Sequence, residues 1–138
     1  MAKKLVIQLA LLLSLVAIFV APMWARKFAL TGSARVPAAS GEVETKTDHN
    51  GNTQVDLKVG NLAKPGALTP PATAYVVWFR MEGADPQNEG VLRIDDHLKG
   101  EFRTRTPWKV FDVSITAESD PAVKVPTDEG VLRTRVQP

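Results

Sequence analysis

No cysteine occurs among the 138 residues. That absence excludes a disulfide framework, a lipid-modified N-terminal cysteine, a thiolate metal site and a cysteine nucleophile together. Packing and strand pairing alone must hold the fold. Histidine is scarce as well. His49 and His97 are the two present, both in turn-like surroundings, and no Gly-x-Ser-x-Gly elbow accompanies them. The chain therefore reads as a protein that is not an enzyme and needs no cofactor. A charge surplus is missing too. Of 17 basic side chains, Lys3 and Lys4 belong to the leader, which leaves 15 against 15 acidic ones from Arg26 onward. Electrostatics gives the folded part no call on nucleic acid or any other polyanion. Beyond the leader, no stretch shows sustained helical periodicity.

The leader itself is plain. Met1-Ala2-Lys3-Lys4 is cationic, Leu5 to Ala21 is apolar apart from Gln8 and Ser14, and Pro22 follows. This layout fits a secretory signal peptide. The apolar run is somewhat long for a signal and somewhat short for a spanning helix of roughly 20 residues. Residues 1–25 are thus expected to be a signal peptide or an N-terminal membrane anchor helix. Either role puts the folded part outside the cytoplasmic membrane, periplasmic or secreted, with membrane contact only if the leader is uncleaved.

The most apolar stretch after the leader is Ala74-Tyr75-Val76-Val77-Trp78-Phe79-Arg80, bounded by Pro70-Pro71 and by Gly83-Ala84-Asp85-Pro86. It is expected to form a central strand buried on both faces. Tyr75 and Trp78 then point to opposite sides, one into the core and one under a loop. Residues 28–41 are small and weakly patterned, which suggests that 26–41 is a weakly ordered segment or an edge strand near Leu30–Val36, limited by Pro37. Residues 42–138 carry the domain. Val43, Thr45 and Thr47 alternate before Asn50-Gly51, and Thr53, Val55, Leu57 and Val59 alternate after it. A three-residue loop, His49-Asn50-Gly51, puts both apolar rows on one face and sets Thr47 opposite Thr53 and Val43 opposite Leu57. Gly60–Thr73 reads as a crossover loop and Gly83–Gly90 as a polar loop. Val91–Asp95 and Glu101–Thr106 read as a second hairpin. Phe111, Val113, Ile115 and Ala117 alternate along a half-buried strand, and Val131–Val136 closes the chain. About seven short antiparallel strands point to an all-β, two-sheet sandwich.

The order Tyr75-x-x-Trp78, Gly90-x-Leu92, Ile115-Thr116-Ala117-Glu118, Pro126-Thr127 and Gly130-Val131-Leu132 resembles the extracytoplasmic C-terminal domain of anti-sigma-K factors. The resemblance covers about residues 72–134 and implies an immunoglobulin-like β-sandwich. Two departures stand out. Only Met1–Lys4 precede the apolar run, leaving no sigma-binding domain, and Asp128-Glu129 occupies the place of the family's Gly-Pro. The module carries over; anti-sigma activity does not.

Candidate sites are few. Asp48-His49-Asn50-Gly51-Asn52 departs from the spacing of a calcium-binding loop and is explained by a tight turn. Asp95-Asp96-His97 converges on a cation only if its loop curls, because neighbouring strand residues face apart. Arg103 with Arg105, and Arg133 with Arg135, each share a strand face. If the two strands lie in the same sheet, four guanidinium groups would form a stripe for an anion or a partner. Trp108, after Pro107, is the expected exposed contact. The sequence thus suggests a non-catalytic exported module of the bacterial cell envelope with an unknown envelope protein or polymer as partner. The alternatives are a membrane-tethered regulator related to anti-sigma factors and a self-assembling structural subunit that exchanges segment 28–41.

Overall fold

A computed structural model describes residues 24–138 of the chain. The leader expected over residues 1–25 lies, apart from its last two residues, outside them. Among the described residues no helix is long and apolar enough to cross a membrane. Eight strands are present: β1 (Arg26–Gly32), β2 (Ser40–Thr47), β3 (Thr53–Gly60), β4 (Ala74–Arg80), β5 (Gln87–Leu92), β6 (Gly100–Thr106), β7 (Phe111–Glu118) and β8 (Leu132–Val136). All pairings are antiparallel, in the order β5-β4-β7-β8-β1-β2-β3-β6. The expected all-β class holds, with eight strands in one continuous, nearly closed sheet instead of about seven in two.

The extra strand is β1. Its first part pairs with β2, from Arg26 opposite Thr45 to Leu30 opposite Gly41. Its last residues, Thr31 and Gly32, pair with β8. The segment expected to be weakly ordered or at an edge therefore joins the two halves of the sheet. The change of partner falls at its end, where the small residues Thr31 and Gly32 follow Leu30. The edges belong to β5 and β6 instead, so strand exchange would use those before segment 28–41.

The β2–β3 hairpin has the expected register, with Thr47 opposite Thr53, Thr45 opposite Val55 and Val43 opposite Leu57. Gly51 takes a positive φ of 78° at the turn, which suits glycine. Asp48 Oδ1 accepts the amides of Asn50 and Asn52 at 2.9 Å each. The turn accounts for all five residues. The inward rows Val43, Val55, Leu57 and Val59 meet Tyr75, Val77, Phe79, Val113, Ile115, Leu132 and Val136 from the other half in one core. The Gly60–Thr73 crossover is fixed to that core by the Tyr75 hydroxyl, which donates to Ala63 O at 2.6 Å.

Two expectations fail together. The stretch after Gly83 is not all loop, because Gln87–Leu92 forms β5 against β4. Nor do β5 and β6 form a hairpin, since β6 pairs with β3 and residues 93–99 carry the chain from one half to the other. The polar string Gln87-Asn88-Glu89 conceals a strand because β5 is an edge. It also bulges: Trp78 faces Asn88 and Val77 faces Gly90, which leaves Glu89 as the extra residue. Gly90 allows close approach of the halves, since a Cβ there would lie 3.3 Å from the Phe102 ring.

Candidate functional site

Strand β4 is buried along both faces from Ala74 to Phe79. Tyr75, Val77 and Phe79 fill the core, whereas Val76 and Trp78 face outward and still have no exposed surface. Residues 121–128 supply the cover by crossing the outer face of the β5-β4-β7 region. Asn88 Nδ2 donates to Pro121 O at 3.0 Å and to Val123 O at 2.9 Å, which secures one end. Asp128 secures the other. Its Oδ2 accepts Arg35 at 2.8 Å and the Ala117 amide at 3.2 Å.

Between these anchors runs a buried polar chain. The Trp78 indole N–H donates to Thr116 Oγ1 at 2.7 Å, and the Thr116 hydroxyl donates to Glu118 Oε1 at 2.7 Å. The Thr127 amide reaches the same oxygen at 3.0 Å, and the Thr127 hydroxyl donates to Glu118 Oε2. A carboxylate with 1% exposure is tolerated because three donors point at it. Trp78, Thr116, Glu118 and Thr127 come from three separated stretches of the chain.

The cover stops short of β8 and leaves a groove of about 690 Å³ over β4, β7 and β8. Register sets its floor. Arg80 lies opposite Asp112 and Asp112 opposite Arg135, while Trp78 lies opposite Ser114 and Ser114 opposite Arg133. Pro126, Asp128 and Glu129 form one wall, and Pro86 stands at the other. Asp112 sits between two guanidiniums, 3.2 Å from Arg80 Nη2 and 3.3 Å from Arg135 Nη1. Arg135 also lies 3.4 Å from the exposed Glu82 carboxylate. Arg133 Nη2 donates to Glu129 O at 2.8 Å, a backbone carbonyl that leaves its charge uncompensated. Asp128 is taken up by Arg35. Within the groove, three guanidiniums therefore face the free or shared carboxylates of Asp112 and Glu129. Planar, multi-donor guanidiniums at this spacing suit a carboxylate or phosphate group.

The expected four-arginine stripe does not form. Arg133 and Arg135 line the groove, but β1, β2 and β3 separate β8 from β6 in the sheet. Arg103 lies on the outer face of the other half, 2.8 Å from Asp56, and Arg105 sits beside it opposite Gln54. Trp108 is not the exposed contact it was expected to be. It is half-buried against the core, its ring 6.4 Å from that of Phe111, and its carbonyl accepts the Thr53 hydroxyl at 2.7 Å. Prolines and polar neighbours gave it a surface context that the fold overrides.

Arg80, Asp112 and Ser114 were missed by sequence reasoning, because only the β4-β7-β8 order brings them beside Arg133 and Arg135. One signal was available: a strand apolar on both faces requires an outer cover, and a groove forms where that cover ends. His49 and His97 lie in the β2–β3 and β5–β6 connections, and neither lines the groove. Asp95 Oδ1 accepts the amides of His97 and Lys99 at 2.8 and 2.9 Å, so Asp95-Asp96-His97 forms a turn. Among the described residues no group of three or more histidine, aspartate or glutamate side chains could hold a metal ion. Comparison with known proteins gave no match: no family model, no curated protein and no solved structure.

Proposed function

We propose that this chain is a non-catalytic, exported module of the bacterial cell envelope that binds a carboxylate-bearing partner in the groove over β4, β7 and β8. The observation that carries this reading is the convergence of Arg80, Arg133 and Arg135 on one open groove. Asp112 is shared between two of the guanidiniums and the third is bound only to a backbone carbonyl. An extended acidic segment lying along β8 would meet these groups in succession, with the Ser114 hydroxyl on the floor. The cationic and apolar leader supports export.

Kinship with the immunoglobulin-like outer domains of anti-sigma-K factors belongs to the same proposal. The clustering of Trp78, Thr116, Glu118 and Thr127 supports it. So does the order β5-β4-β7-β8, which parallels the C′-C-F-G order of an immunoglobulin-like sheet. In the other half β3, the strand before β4, lies beside β6 as strand B lies beside E, and the difference is β1, which pairs antiparallel with both β2 and β8 and so joins the two halves.

The test is a calorimetric titration of the full chain with hexaglutamate at low and high salt. Binding that weakens with salt and is lost in Arg133→Ala supports the groove as the site. No binding at low salt, or binding indifferent to Arg133→Ala, overturns it.

A further inference from the structure

The end of the sheet where the chain enters the fold carries a second cationic hollow. Arg26 opens β1 opposite Thr45. Lys46 is the next residue on β2, and Lys109 lies in the connection from β6 to β7, where its Nζ donates to Gly51 O. Together with Trp24 these side chains wall a hollow of about 220 Å³ whose lining contains no aspartate or glutamate side chain but includes Gln137 and the carboxylate-bearing Pro138. Glu44, 3.2 Å from Lys46 Nζ, offsets one of the three charges from outside it. No residue is shared with the groove over β8.

Beside these cations stands the most exposed large apolar side chain among the described residues. Trp24 is 76% exposed, and Val110, next to Lys109, is 40% exposed. An indole open to water beside clustered cations is the combination found where protein meets a bilayer surface. There the amphipathic ring sits at the headgroup level and Lys or Arg side chains meet anionic lipid. The chain outside the described residues leads to the same place, since the apolar run Leu5–Ala21 ends three positions before Trp24. We propose that the hollow walled by Trp24, Arg26, Lys46 and Lys109 binds the phosphate of an anionic phospholipid headgroup, so that this end of the sheet rests on the membrane surface. A free phosphate offers the same charge but leaves the indole uncovered, so the lipid is the occupant that accounts for both features. The inference is independent of the groove and of its ligand.

The chain lacks cysteine, so Val110→Cys and Leu98→Cys each carry one environment-sensitive dye on the full-length protein. Leu98 lies just before the start of β6 and Val110 beyond its end, which places the probes at opposite ends of the sheet. The protein is reconstituted in phosphatidylcholine vesicles with graded phosphatidylglycerol. The expected result is a blue shift at position 110 that grows with phosphatidylglycerol and is absent at position 98. At roughly 1 kcal/mol per basic side chain near the surface, Lys46→Glu with Lys109→Glu should raise the phosphatidylglycerol content for half response at least about tenfold. Arg26→Glu with Lys46→Glu should do the same while sparing the Lys109 contact to Gly51. An equal response in phosphatidylcholine alone, an equal response at both positions, or indifference to both charge reversals overturns the proposal. Inorganic phosphate that produces the same shift with neutral vesicles overturns the lipid assignment in favour of a soluble anion.

Discussion

Across β1, β2, β3 and β6 the outward row Lys27, Glu44, Asp56 and Arg103 stands in register, one residue from each strand, with the two cations in water and the two carboxylates partly covered by their neighbours. Across β4 and β7 the outward residues Val76, Trp78, Thr116 and Glu118 are as buried as the core. On the first face the like-charged neighbours Glu44 and Asp56 are tolerated because Lys27 and Lys46 approach Glu44 and Arg103 approaches Asp56. Pairs whose cation stays in water contribute little stability each. The second face hides a tryptophan and a carboxylate, so its cover must satisfy every polar group that it dries out. Asn88, Glu118 and Asp128 do this for a segment that has no ladder of its own. One half is thus a solubilising surface, and the other is a built surface whose unfinished margin forms the groove.

The strongest way to break this contrast is Trp78→Ala. Loss of a fully buried tryptophan on the covered face should cost about 3–5 kcal/mol, read from the midpoint of urea unfolding; a loss comparable to that of a surface substitution would mean the cover is not closed. Thr116→Val should come next, at about 1–3 kcal/mol, because it leaves the Trp78 indole N–H unpaired and removes one donor to Glu118. Tryptophan emission should shift with it. On the open face, Arg103→Ala should cost less than about 1 kcal/mol despite the 2.8 Å contact to Asp56. A larger loss would make that face structural as well.

The finest distinction is one of pH. Burial raises the Glu89 carboxyl above its ordinary 4.5 at the β5 bulge. The folded protein therefore holds that proton more tightly than the unfolded chain, and stability falls as pH rises from 4.5 through the raised value. Glu89→Gln should be more stable than the parent above that window and should show no gain below it. A gain that persists at low pH would point to some cause other than desolvation.

The open face was legible in the sequence and the covered one only in part. Local alternation and one Asn-Gly turn determine the β2–β3 register, since a slip by one residue would turn Val43, Val55 and Leu57 outward. The burial of β4 on both faces follows from its composition. The identity of its cover does not, because residues 119–131 have no period and are held by single long-range bonds, such as Asn88 to Val123. Strand β5 escaped notice for a related reason: an edge strand with a bulge needs neither two apolar faces nor strict alternation. Half of the groove was visible as Arg133 and Arg135. Arg80 and Asp112 joined it only through strand order, and the same order removed Arg103 and Arg105.

The most direct test of this division of labour compares two charge reversals of matched size on the full chain. Arg133→Glu with Arg135→Glu alters the groove, and Arg103→Glu with Arg105→Glu alters the open face, with hexaglutamate affinity measured for each by calorimetry. The account predicts that binding disappears in the first variant and stays within about threefold of the parent in the second, apart from the general charge effect that salt screens. Equal losses in both, or a loss confined to the second, would contradict it.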